Sequence, residues 1–187
     1  MDKRITKSVY IYQALVFALF VAIDQITKVL ARTKLVDEFG NSKSFYLIKN
    51  VLCFHYLENR GSVWGILQGK INFLLIVSLF LFIILLYVYI KLPKTTNYLV
   101  LLWIDVFMLV GAVGNTIDRI VFGYVTDFIY FELINFPIFN FADICITLAA
   151  AVTVVMILTR YKDDNFAFLS FKNKKKIEED GEVDIHN

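Results

Sequence analysis

The sequence predicts an all-α membrane protein: four transmembrane helices, with a small extracytoplasmic β-containing segment between helices 1 and 2. Three observations carry this. Of the 187 residues, 58% are apolar, against roughly 45–50% in soluble domains. Four long apolar runs follow one another, and about 20 helical residues suffice to cross a ~30 Å hydrocarbon core. Apart from Asp105, the acidic residues of these runs gather at one end of the helices rather than along them.

The first run, residues 8–30, follows a basic start with Lys3, Arg4 and Lys7. It resembles a signal peptide in its first half. No A-x-A-like cleavage site follows and three more apolar runs do, so an uncleaved first span is expected. Its far end carries Asp24 and Lys28, which share a helix face at four-residue spacing. Residues 31–70 are mixed. Gly40, Asn41 and Ser42 mark a turn, and the β-branched and aromatic content of 45–58 suits short strands. The segment closes on NRGSVWG (59–65), two glycines around Trp64, which predicts a tight turn with an aromatic anchor at the membrane surface.

Residues 71–90 form the clearest span, with only Asn72 and Ser78 polar. KLPKTTN (91–97) is a short connection in which Pro93 breaks the helix. The third span covers 98–113 and runs on to about Ile120, with Asp105 in its middle. The connection 120–139 holds no Lys or Arg. The fourth span covers 141–158. Residues 1–160 are expected to form one four-helix unit, and 161–187 a polar, disordered cytoplasmic tail with a KNKKK run and an acidic end. Short basic loops stay in the cytoplasm. Both termini are therefore expected there, and Asp24, Asn59, Asp118, Asp127 and Asp143 near the outer membrane face.

Other classes are disfavoured. The net charge of +2 is too small to argue for nucleic acid. Cys53 and Cys145 fit neither a disulfide framework nor a CxxC site, and His55 and His186 fit no ligand spacing. No GxGxxG or P-loop motif is present. No metal or cofactor is therefore expected.

Residues 111–143 hold the chemistry. Ionisable residues at membrane helices are costly, and are read as functional by default. Asn115 and Asp118 are three apart near the outer end of the third helix, with Arg119 beside Asp118. Asn140 and Asp143 are three apart at the start of the fourth. That spacing puts each pair on one helix face, and a helix N-terminus favours Asp143 as an anion. Asp127 comes from the intervening loop. Two carboxylates held together share a proton, so one can take a proton from water while the other donates to a carbonyl oxygen. The same residues also suit a proton relay in a carrier, or an ion-pair cluster stapling helices. A carrier would show helices broken near the midplane, in repeated halves, whereas these runs are unbroken.

The motifs stand as DQITK (24–28), NRGSVWG (59–65), GNTIDR (114–119), VTDFI (125–129) and FNFAD (139–143). In this order, at the ends of four spans, they resemble the lipoprotein (type II) signal peptidases from about residue 10 to residue 158. The resemblance implies a four-helix aspartic endopeptidase of the bacterial cytoplasmic membrane. Such an enzyme removes the signal peptide from a diacylglyceryl-modified prolipoprotein, just before the lipidated cysteine. It implies Asp127 and Asp143 as the catalytic pair. Asp24, Lys28, Asn59, Gly61, Asn115, Asp118, Arg119 and Asn140 are its substrate-binding or supporting residues. Asp118 is the rival acid, with Arg119 as its expected salt-bridge partner. The expected partners are the lipid-modified precursor and membrane lipids, with no nucleic acid, and the expected state is a monomer. Asp105, Leu148 and Ala149, and the acidic tail depart from the family's pattern.

Overall fold

The computed structural model describes residues 2–61 and 67–160. The expected turn at Trp64 and the tail 161–187 lie outside the described residues. Four helices are long and apolar enough to cross a membrane: α1 (Lys7–Lys34), α2 (Ile71–Lys91), α3 (Leu99–Phe122) and α4 (Phe141–Thr159). A single 3₁₀ turn, Thr96–Tyr98, leads into α3.

Helix α1 outruns its apolar stretch. Its 28 residues span ~42 Å at 1.5 Å each, about two turns more than a ~30 Å hydrocarbon core requires. The extra turns carry Arg32 and Lys34, which sit at the negative end of the helix dipole; of the two, Lys34 is exposed. Helix α2 is apolar on all sides and buries only Leu74, as expected for a helix facing lipid. It stops at Leu92, because Pro93 has no N–H with which to continue the ladder.

Helix α3 is the centre of the bundle. Of its most apolar window 56% is buried, against 6–17% for the other three helices, and it packs extensively against each of them. Small residues permit this. A Cβ at Gly111 would meet the Ala142 carbonyl oxygen of α4 at 2.6 Å, and one at Gly114 would collide with the Asp24 carboxylate of α1. Phe20 of α1 fills the junction, its ring 5.2 Å from Phe107 and 5.6 Å from Phe141.

A three-stranded antiparallel sheet, β1 (Ser44–Ile48), β2 (Leu52–Asn59) and β3 (Val125–Tyr130), covers one end of the bundle. β1 and β2 are the strands expected between helices 1 and 2. The third was not expected: Asp127 lies on a strand, not in a loop. Gly123 ends α3 in the left-handed conformation (φ 73°), which costs a residue without Cβ nothing. The chain can thus turn back within two residues. Val125 then pairs with Asn59 and Asp127 with Leu57.

The opposite end is closed by the N-terminal segment. Ile5 N–H donates to Lys94 O (3.0 Å), and Thr96 N–H to Lys3 O (2.9 Å). The basic residues Lys3, Arg4, Lys7, Lys91 and Lys94 therefore share the end away from the sheet. Asp105 sits in the second turn of α3, closer to this end than its expected place in the middle of the span. It is buried, and its Oδ2 has no hydrogen-bond partner among the described residues. A buried polar atom left unpaired costs about 1–3 kcal/mol. Asp105→Asn removes the ionisable group without changing the shape. Its thermal midpoint is expected to equal or exceed the parent's, with turnover intact; loss of turnover with the fold preserved would give Asp105 a part in the chemistry.

Candidate active site

The site is built outward from one face of α1. Asp24, Lys28 and Arg32 recur every four residues and point at α3. Asp24 and Lys28 are fully buried and pair at 2.9 Å, so this is no surface ion pair. The other Asp24 oxygen accepts from Ala142 N–H (2.9 Å), in the first turn of α4. Asp24 thus satisfies a backbone donor that a helix start leaves open, and ties α1 to α4. Gln25 braces it, donating to Asp24 Oδ2 (3.0 Å) and to the Gly114 carbonyl (3.2 Å).

From α3, Asp118 lies 3.6 Å from Lys28 and 3.7 Å from Arg32. The expected Asp118–Arg119 salt bridge is not formed. Neighbours on a helix point about 100° apart, so Asp118 faces α1 while Arg119 turns to α2 and donates to Ser78 Oγ (3.2 Å). Asp118 has a second contact: its Oδ2 accepts from Thr126 N–H (2.8 Å), and Arg32 donates to Thr126 Oγ1 (2.6 Å). Asp118 and Arg32 therefore pin β3 next to Asp127. Arg32 also stacks 4.2 Å from the centre of the Phe122 ring. Arg32 and Thr126 are the positioning residues that sequence reasoning missed. The four-residue recurrence after Asp24 and Lys28 was the signal for Arg32.

Asp127 and Asp143 meet at Asn140. Asn140 caps α4 with a reciprocal box: its Oδ1 accepts from Asp143 N–H (3.1 Å), and its own N–H donates to Asp143 Oδ2 (3.1 Å). Its Nδ2 donates to Asp127 Oδ1 (2.6 Å) and to Asn115 Oδ1 (3.1 Å). Asn59, on β2, donates to Asp127 Oδ2 (2.9 Å), and its own Oδ1 accepts from Gly61 N–H (3.0 Å). Asn115 donates to Asp143 Oδ1 (2.8 Å).

One cation orients these amides. Lys28 Nζ donates to Asn115 Oδ1 (2.9 Å). An ammonium carries donors only, so the Asn115 oxygen must face Lys28 and its NH₂ must face Asp143. Lys28 thus acts on the carboxylate pair through Asn115 without touching either. Every predicted site residue except Arg119 joins this network, and Arg119 feels the charges of Asp143, Asp127 and Asp118. Burial pushes the Asp127 carboxyl up to about 7, and the charge of Asp143 adds to the shift. Hydrogen bonds from Asn59 and Asn140, and then the Lys28 ammonium, oppose it. A carboxyl that titrates near neutrality beside a second carboxyl is suited to proton transfer. Among the described residues, no three His, Cys, Asp or Glu side chains are placed to hold a metal ion.

The sequence profile of signal peptidase II matches residues 16–159. The lipoprotein signal peptidase of Clostridium novyi (strain NT) is 35% identical over 154 residues, covering 80% of this chain and 99% of that protein. That of Caldanaerobacter subterraneus subsp. tengcongensis is 40% identical over 138 residues, 73% of this chain and 89% of the other. A bacterial membrane enzyme solved by the in meso method at 2.3 Å superposes with a TM-score of 0.72. It is 32% identical, over 87% of this chain and 97% of its own.

Proposed function

The chain belongs to the signal peptidase II family, and from that premise we infer an aspartic endopeptidase whose catalytic pair is Asp127 and Asp143. As a family member it is a multi-pass membrane peptidase of prolipoprotein processing. The observation that carries the aspartic reading is Asn140, which bonds both carboxylates and so holds them side by side. Held so, the pair shares a proton. The ionised carboxylate takes a proton from water as its oxygen attacks the scissile carbonyl. The protonated one hydrogen-bonds to the carbonyl oxygen and protonates it as the tetrahedral intermediate forms. The newly protonated carboxyl then gives its proton to the departing amine, while the other takes one back from a hydroxyl of the intermediate, which restores the shared-proton pair. Asn59, Asn115 and Asn140 hold the two carboxylates in register through this exchange.

Asp118 serves as the anchor of β3. Both its oxygens face donors of α1 and β3, away from the pair. The basic residues at the end remote from the sheet set that end in the cytoplasm, with both termini there and the catalytic pair at the outer face. The precursor's lipid must remain in the bilayer while its peptide reaches the pair, so substrate enters sideways between helices.

The test is cleavage of a diacylglyceryl-modified precursor by purified protein in detergent, with chelator present. Cleavage just before the lipidated cysteine is expected. Activity lost to chelator and restored by a metal ion would reject the aspartic reading. The pH profile is a second check. Below about 7 Asp127 holds its proton, and above it the shared-proton state disappears. Turnover is therefore expected to fall as pH rises through that range, an apparent value belonging to the pair. Stability follows the same sign. A carboxyl raised from 3.8 to about 7 contributes fully below 3.8, and that contribution is lost as pH rises through about 7.

A further inference from the structure

A cavity of about 450 Å³ lies between the last turns of α1 and the sheet, on the far side from the catalytic pair. Leu30, Leu35, Phe45, Phe54 and Phe128 line it, and Lys34 and Lys43 stand in its wall. Successive residues of a strand face opposite ways. Asp127 bonds to Asn140, while Phe128 packs on Ala31 and Leu35 of α1. The sheet therefore separates the cavity from the site of hydrolysis, and none of its lining residues bonds either catalytic carboxylate.

The two lysines are brought together by the turn after α1. Val36 and Ser42 form a β-bridge, and Lys43 N–H donates to Leu35 O (2.8 Å). Lys43 thus returns beside the helix end that carries Lys34. Neither ammonium has a salt bridge among the described residues. Asp37 stands nearby, its carboxyl held below the usual range first by Asn41 N–H and lastly by Lys43. Its Oδ1 accepts from the N–H groups of Phe39 and Asn41, and its Oδ2 from the side-chain amide of Asn41.

Depth completes the picture. The last turns of α1, which exceed the length a ~30 Å core requires, line this cavity, and on the proposed topology its mouth is at headgroup depth. Strand β1 beside it exposes Phe45, Tyr46, Leu47 and Ile48, at 47–60%. A strand apolar on both faces and open at its edge is a liability in water, but is at home against lipid.

We propose that this cavity is a binding site for an anionic glycerophospholipid of the leaflet on the sheet side. An acyl chain enters between α1 and Phe128, and the phosphate lies between Lys34 and Lys43. The occupant follows from complementarity: an apolar cavity of small-molecule size, with unpaired cations at headgroup depth. A lipid seated there braces the sheet from behind.

The test is native mass spectrometry of the full chain in a neutral detergent, titrated with phosphatidylglycerol or with phosphatidylcholine of the same chains. Each lysine is worth about fivefold toward a headgroup of net negative charge over one whose choline cancels the phosphate, so a preference of roughly 25-fold for the anionic lipid is expected. K34Q/K43Q should reduce it to parity, while Lys70→Gln, a lysine outside the cavity, should leave it unchanged. Equal retention of the two lipids would overturn the proposal. So would a preference that survives K34Q/K43Q, and so would displacement of the lipid by soluble glycerol phosphate at matched concentration.

Discussion

Asp127→Asn and Asp143→Asn are each expected to reduce cleavage of the lipid-modified precursor by up to about 10⁴-fold, the top of the range for a lost general acid–base. Asparagine keeps the size and much of the hydrogen bonding, but cannot exchange a proton. Asn140 can still contact the replaced side chain on either side, so the fold and precursor binding are expected to persist. The two acids act on one proton, so the double variant should be no worse than either single one. Asp118→Asn should behave differently. Its contacts run to Lys28, Arg32 and Thr126 N–H, so the loss is one of strand placement, with measurable turnover remaining. Single-turnover assays on the three variants separate the roles. Turnover kept by Asp127→Asn and lost in Asp118→Asn would make Asp118 the partner of Asp143.

Lys28→Met should have the largest effect on stability. The ammonium is fully buried, 2.9 Å from Asp24 and 3.6 Å from Asp118. Methionine fills much of its volume, but leaves Asp24 without its cation, and Asp118 with only Arg32. Breaking a buried pair in this way costs about 3–5 kcal/mol. The thermal midpoint in detergent is expected to fall by roughly 10 °C. In D24N/K28M the stranded charge at Asp24 is gone, so the loss should be smaller than the sum of the two single changes. Turnover should fall further than stability predicts, because Asn115 loses the donor that fixes which way its amide faces. A Lys28→Met protein as stable and active as the parent would remove Lys28 from the site.

The spans were legible because crossing a bilayer demands length and apolarity together, and few other requirements produce that pattern. Their ends were less so. Residues 31–34 read as polar connection, yet continue α1, because a helix leaving the hydrocarbon has no need to stay apolar. Strand β3 was invisible for another reason. VTDFIY is too short to declare itself and owes its form to pairing with β2, whose partner residues lie some 70 positions earlier (Asn59 with Val125). Asp127 was singled out by its motif, but on the wrong kind of backbone. The capping of α4 by Asn140 was readable from three-residue spacing. The Asp118–Arg119 pairing failed on geometry the sequence already contained, since adjacent helical residues cannot share a face.

The Asp24–Lys28 pair also bears on how the chain enters the membrane. Lys28 ends up against Asn115, 87 residues downstream, and Asp24 against Ala142, 118 residues downstream. At about 5–20 residues per second of synthesis, α1 waits several seconds or longer in the bilayer before those partners exist. During that interval its two ionised groups have only each other, and their four-residue spacing within one helix lets them neutralise locally. The first helix can thus be inserted as an electrically self-contained unit. Its polar face is released to α3 and α4 only as they arrive, so the ion pair acts as a temporary partner for a helix whose real partners are still being made.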